Sequence, residues 1–255
     1  MSLERQLQRA ARKRRAREER RLVREAPAGT VPPSMLADFF KGIALQVDKL
    51  EFHGLLGIGG SCIFRTLAAY QAAAASNVDV TIGFGGLLAR VGPDPQRDVV
   101  AFCGPHNMGF ILPNGHAAFH CWLRYQDWIF DASLDEWPHL DSVGTELVTF
   151  GEALPPIQWT TTLPHYWLKP AAEVELAWRP QGTPAIGEAW YGPFHGDGEI
   201  IMQRIRSVHA DVGRQIASGL AHICNAFCEQ HGYPNRFDGR VCPLRFRALT
   251  VRQWQ

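Results

Sequence analysis

Cys62, His120 and Asp131 are the residue types of a thiol-based acyl-transfer site, and the sequence around each suits a part in it. Cys62 follows "GIGGS" (57–61) and opens the alanine-rich run "CIFRTLAAYQAAAA" (62–75), which is full of strong helix formers. The first turn of a helix has unpaired backbone N–H groups and a partial positive charge. Both favour a thiolate, and the same N–H groups can hold a developing oxyanion. Gly59, Gly60 and Ser61 place a small-residue loop just ahead of the thiol, where a substrate backbone can come close. The loop lacks the GxxxxGK[ST] spacing and its lysine, so it reads poorly as a phosphate cradle. The competing reading of Cys62 is a small buried residue that closes a tight turn.

A nucleophilic thiol needs an imidazole to take its proton and a third group to orient the ring. The stretch "GHAAFHCWLRYQDWIFDAS" (115–133) offers both, as two apolar runs joined at a polar turn. A turn at Tyr125-Gln126 sets Arg124 opposite Asp127, Trp122 opposite Ile129 and His120 opposite Asp131. Directly opposed residues lie about 4.5 to 5.5 Å apart. Alternation puts His120 and Trp122 on one face and Cys121 and Leu123 on the other, with Trp128 and Phe130. Both faces are apolar, which calls for a covering helix. His116 is the alternative base, but pairing it with Asp131 centres the turn inside the apolar run at Leu123-Arg124. An ordinary structural His–Asp pair is the competing reading of the hairpin.

The elements that must position these residues follow from periodicity. "SMLADFFKGIALQVDKLEF" (34–52) has helical apolar spacing, with Ser34 a candidate cap. Strands are predicted at "VDVTIGF", "LLARVG" and "DVVAFCG". "EALPPIQWTTTLPHYWLKP" reads as an irregular connection. "GEIIMQRIRSVHADVGRQIASGLAHICNAFCEQHG" reads as one long C-terminal helix, and the tail after it can add a strand. This order implies an α+β fold, with an antiparallel sheet packed on the cysteine-bearing helix. "APAGTVPPS" (26–34) reads as a linker. Residues 1–33 thus form a basic arm and linker, and residues 34–255 a single domain.

The chain has 255 residues, 46% of them hydrophobic and 20% charged, enough for a sizeable core. It has no apolar run of membrane-spanning length and no apolar leader, which points to a cytoplasmic protein. Its six cysteines show no tight repeated spacing, so reduced thiols are expected. The net charge of +1 hides an asymmetry, because residues 1–25 carry ten Lys or Arg against four Glu. Such an arm is a solvated helical tail or a weak contact for nucleic acid or a partner. His222, Cys224, Cys228 and His231 share the C-terminal helix, where core packing is a better reading than a metal site. "HGDGE" (195–199) reads as a turn or cap. Trp159, Trp167, Trp178, Trp190 and Tyr191 read first as core cover and second as cleft lining. No metal and no cofactor is expected.

The order of cysteine on a helix, histidine on a following strand and aspartate on the next resembles the transglutaminase-like superfamily, within the wider papain-like clan. "HCWL" (120–123) resembles its His-x-Trp-aliphatic strand and "DAS" (131–133) its Asp-x-Ser/Thr ending. A weaker similarity, in "GGSCIF", "IGF" and "LLARVG", is to the arylamine N-acetyltransferases, without their acidic residue just after the cysteine. The resemblance covers about residues 55 to 135. It implies Cys62 as nucleophile, His120 as base and Asp131 as orienter, in a cysteine hydrolase of amides or peptides or an acyltransferase working through a thioester. No Gln stands shortly before Cys62, the nearest being Gln46. The second oxyanion donor therefore falls to a backbone N–H or to Asn107 or Asn114, and Trp122 would border the substrate. The alternative is a binding module on the same fold, with the basic arm contacting nucleic acid or a partner protein.

Overall fold

A computed structural model of the chain describes residues 29–52, 61–95, 98–102, 110–111, 117–134, 160–161, 163–164, 166–175, 182–193, 198–231 and 238–247, with positions 5, 8–14, 17–18 and 21 of the arm. The arm positions are helical and exposed. After a 3-10 turn (Pro33–Met35) come α1 (Leu36–Phe52) and α2 (Ser61–Ala75). Among the described residues eight strands follow: β1 (Thr81–Arg90), β2 (Val99–Phe102), β3 (Phe110–Ile111), β4 (Ala117–Ala118), β5 (His120–Tyr125), β6 (Trp128–Asp131), β7 (Trp167–Pro170) and β8 (Ala189–Pro193). A short α3 (Ala171–Val174) lies between β7 and β8, and α4 (Gly198–His231) follows.

The result is an α+β fold. Six strands form one antiparallel sheet, with the path β2-β1-β5-β6-β7 and β8 paired to β1. The first half of β1 pairs with β5, and its second half pairs with β2 and β8. The two strands predicted on either side of Gly85-Gly86 are therefore one ten-residue strand. β7 falls where the sequence suggested an irregular connection. Pairing with β6 supplies what its prolines and aromatics conceal, because Trp128 opposes Pro170 at a strand end, where a missing N–H is tolerated.

One face of the sheet is covered by α1, α2 and α4. α1 buries Leu36, Phe40, Ile43, Val47 and Leu50, a stripe at spacings of three and four. α2 is buried from Arg65 through Ala73 with no exposed face, as expected of a helix held between two others and a sheet. The opposite face carries a second cluster that includes Leu87, Trp122, Ile129, Trp167 and Tyr191. Ser34 sits inside the 3-10 turn without a side-chain cap, so it does not start α1 as expected. Proline at the start of that turn, with its preset φ, takes the role instead. The linker residues from Gly29 on pack against the body: Asp79 N–H donates to Gly29 O at 2.8 Å and Val31 N–H to the Tyr125 hydroxyl at 2.7 Å. Among its described residues the tail forms a parallel bridge, Ile82 to Phe246, and no strand. Gln71 and Tyr70 of α2 hold it through the backbone of Cys242, Pro243 and Arg245.

Gly83 opposes Trp122 across the β1–β5 ladder. A Cβ on Gly83 would stand 2.5 Å from the indole nitrogen, so the glycine lets the Trp122 ring lie flat on β1. Gly83→Ala is expected to push that ring out of its place and lower stability by about 1–3 kcal/mol, the cost of an overpacked core. A urea titration reads this as a lower midpoint with an unchanged slope.

Candidate active site

The β5–β6 hairpin brings His120 and Asp131 together. His120 Nε2 and Asp131 Oδ2 are 2.5 Å apart, with both residues buried. The register differs from the expected one by two residues: Leu123 opposes Phe130, Arg124 opposes Ile129 and Tyr125 opposes Trp128. The turn is therefore Gln126-Asp127, with Gln126 at φ 49°, the positive φ that tight hairpin turns require. Tyr125 stays in the strand because its ring is buried against Phe40. Continued by one pair, this register sets Asp131 opposite Trp122 and diagonal to His120. A diagonal neighbour lies on the same face and within reach of a long side chain.

Asp131 is a buried carboxylate with every acceptor used. Oδ2 accepts a hydrogen bond from His120 Nε2 and another from the Tyr191 hydroxyl at 2.8 Å. Oδ1 takes the Ser133 N–H at 2.9 Å and the Ser133 hydroxyl at 2.7 Å. Burial alone would push its pKa up, but the His120 charge and these hydrogen bonds outweigh burial and hold it below the usual carboxylate value. For His120, burial works to push the pKa down. The Asp131 charge and hydrogen bond, with the nearby Cys62 thiolate, overcome this and raise it to about 10. The ring also lies alongside Trp122, with centroids 6.2 Å apart and planes 27° off parallel. Tyr191 was read in the sequence as core cover. Its side chain is buried, but its hydroxyl orients the aspartate, and its rise in pKa follows from burial and from that carboxylate.

Cys62 lies in the first turn of α2, half-buried. Two bonds seat this helix on the hairpin. Thr66, one turn beyond Cys62 on the same face, donates its hydroxyl to Cys121 O at 3.0 Å. The buried Arg65 donates Nε to Ala132 O, next to Asp131, and pairs with Asp48 of α1 at 3.0 Å. Arg65 was not singled out in the sequence. The signal was there, since a charged residue inside an alanine-rich apolar run must find a partner when buried. The Cys62 thiol has its pKa lowered to about 5, first by a hydrogen bond from Cys121 and then by the hydrogen bond and charge of His120, against the opposing effect of burial. With Asp131 on Nε2, the imidazole has Nδ1 to exchange a proton with the sulfur. These shifts favour a thiolate at Cys62 and a protonated ring at His120, near the ionised Asp131.

Gly59, Gly60, Asn107, Asn114 and His116 lie outside the described residues, and for Ser61 only the helical backbone is described. Gln46 accepts from Cys224 at 3.8 Å between α1 and α4. Trp159 and Trp178 also lie outside the described residues, as does the side chain of Cys228. Among the described residues no group of three His, Cys, Asp or Glu could hold a metal ion, and no helix is long and apolar enough to cross a membrane. A cleft of about 670 Å³ at the far end of the hairpin is lined by Val31, Pro33, Tyr125, Trp128, Tyr166 and Lys169 among others, with no member of the Cys–His–Asp group.

Cys62 should be alkylated at a rate that follows its thiolate fraction. The rate should rise with pH through about 5 and then hold level, because above that pH the thiol has already lost its proton. In His120→Ala the inflection should move up toward the ordinary cysteine value of about 8.5. Mass spectrometry of iodoacetamide-treated protein over a pH series measures both, and a parent inflection near the ordinary value would refute the pairing. Tyr191→Phe takes one donor from a buried carboxylate. It should cost about 1.5–3 kcal/mol in a denaturant titration, the usual worth of a hydrogen bond to a charged group.

No family model matches the chain, and no curated protein matches it. A solved crystal structure of a structural-genomics target aligns with 71% of this chain and 76% of its own, at 14% identity and a TM-score of 0.42. A likeness that slight carries no argument about fold or activity.

Proposed function

We propose that the chain is a cysteine-dependent acyl-transfer enzyme of transglutaminase-like fold, a hydrolase of amides or peptides or an acyltransferase. The observation that carries this reading is the buried His120 anchored through Nε2 to Asp131, on the strand over which Thr66 seats the Cys62-bearing helix. The order of Cys-bearing helix, His-bearing strand and Asp-bearing strand supports the fold assignment, as do the "HCWL" and "DAS" motifs. In this reading the Cys62 sulfur attacks the substrate carbonyl carbon. Backbone N–H groups of the first turn of α2 face the oxygen as its charge grows. The His120 imidazolium gives its Nδ1 proton to the departing amine, and the C–N bond breaks to leave a thioester on Cys62. Neutral His120 then takes a proton from water or from an incoming amine, which attacks the thioester carbonyl; the acyl C–S bond breaks and the Cys62 sulfur leaves as thiolate beside the restored imidazolium. Asp131 stays ionised throughout and keeps the ring in one orientation.

Acetylation by p-nitrophenyl acetate tests the reading without knowledge of the natural substrate. The parent should release a burst of p-nitrophenol and carry the acetyl group on Cys62, located by peptide mass spectrometry. Cys62→Ala should show neither, and His120→Ala should acetylate about 10²–10⁴-fold more slowly, the usual worth of a positioned acid–base group. A primary amine that speeds loss of the acetyl group would favour acyl transfer over hydrolysis. Equal bursts from the parent and Cys62→Ala would reject the assignment.

A further inference from the structure

The mechanism above leaves one buried thiol without a part. Cys121 follows His120 on β5 and, by alternation, faces the helical layer. It is 1% exposed. The Thr66 hydroxyl on the Cys121 carbonyl fixes α2 over this residue, and Cys62 lies one turn nearer the N-terminus on the same face of the helix. Cys121 belongs to the core cluster beneath α2, and Cys62 packs against that same cluster. The burial of Cys121 and the Cys62 charge push the Cys121 pKa well up, so it keeps its proton while Cys62 does not. Both are free thiols. The other described cysteines are engaged elsewhere, Cys224 with Gln46 and Cys242 with Gln71 through its backbone. A thiol of lowered pKa placed beside a second, protonated thiol is the arrangement of a peroxide-sensing pair.

We propose that Cys62 and Cys121 form a reversible redox couple, in which a hydroperoxide oxidises Cys62 and Cys121 closes a disulfide that switches the site off. The Cys62 sulfur attacks the terminal oxygen of the hydroperoxide. An S–O bond forms, the O–O bond breaks, and two electrons pass from sulfur to the peroxide. The departing alkoxide or hydroxide takes a proton from the His120 imidazolium and leaves as alcohol or water, so Cys62 becomes a sulfenic acid. Neutral His120 next accepts the Cys121 proton as the Cys121 sulfur attacks Cys62. The S–S bond forms, the S–O bond breaks, and the released hydroxide regains that proton to leave as water. A dithiol reductant returns both thiols by exchange. The couple stops oxidation at the disulfide, short of the irreversible sulfinic acid. The part that says the disulfide silences turnover rests on Cys62 being the nucleophile proposed above.

The test treats the full chain with hydrogen peroxide, alkylates the remaining thiols and maps the peptides by mass spectrometry. The expected result in the parent is a Cys62–Cys121 linked peptide, with loss of the p-nitrophenyl acetate burst and its recovery on adding dithiothreitol. Cys121→Ala, treated alike, should accumulate Cys62 sulfinic acid and recover on the order of tenfold less of its own starting burst. The linked peptide is read in the parent, so the test does not depend on the variant folding. Cys62 sulfinic acid in the parent with no linked peptide overturns the couple, and it does so even where the parent acetylates Cys62 normally. A linked peptide in a parent that never acetylates supports the couple and removes the acyl-transfer reading instead.

Discussion

A single buried negative charge organises this molecule. Asp131 is 1% exposed, and a carboxylate so placed is tolerated only when its acceptors are all engaged. Three elements meet that demand: His120 from β5, Ser133 from the residues just past β6, and Tyr191 from β8. Their separations in sequence run from two to 60 residues, so the charge is stable only once the sheet is assembled. The donors hold the carboxylate ionised, and the ionised carboxylate in turn holds the imidazole protonated. The positive ring then stabilises the thiolate at the head of α2. Each ionised group is one neighbour's reason for being ionised.

This chain of charges works because α2 is clamped to the hairpin at two points. Thr66 holds it to β5 and Arg65 to the end of β6. A buried arginine is costly unless paired, and Arg65 meets this need with Asp48 and a backbone carbonyl. The clamp sets the helix N-terminus over the His120–Cys121 end of β5. That one placement brings helix dipole, imidazole and second thiol to the same sulfur. The lowered thiol pKa therefore has several sources, of which the hydrogen bond from Cys121 leads and the imidazolium follows.

The hairpin shows how a local reading errs and still succeeds. Turn chemistry suggested Tyr125-Gln126, but Tyr125 is worth more inside the core, against Phe40 and under the linker, than in a turn. The turn moved on by one residue and the register changed by two. A shift of two leaves every side chain on its face, so His120 and Asp131 still meet, now diagonally. A shift of one would have put His120 among the helices and Asp131 in the opposite layer. That β7 was read as a connection and β8 carried no strand prediction has another origin. Their Pro- and Trp-rich sequences have little strand pattern of their own, and it is pairing with β6 and β1 that makes them strands. Tyr191 was hidden with them.

Taken alone, the sequence determined the three long helices, the hairpin, the α+β class and the three residue types with acyl-transfer potential. Periods of 3.6 and 2, helix-forming composition and a glycine-preceded cysteine are local properties, and a linear chain displays them. Tertiary structure decided the rest: that Cys62, His120 and Asp131 share one neighbourhood, that Tyr191 and Ser133 complete the carboxylate's shell, and that Cys121 and Cys62 meet at one core cluster. Those facts depend on how α2 crosses β5 and how β8 returns to β1. Such contacts join residues tens of positions apart, and only burial of the whole core selects them.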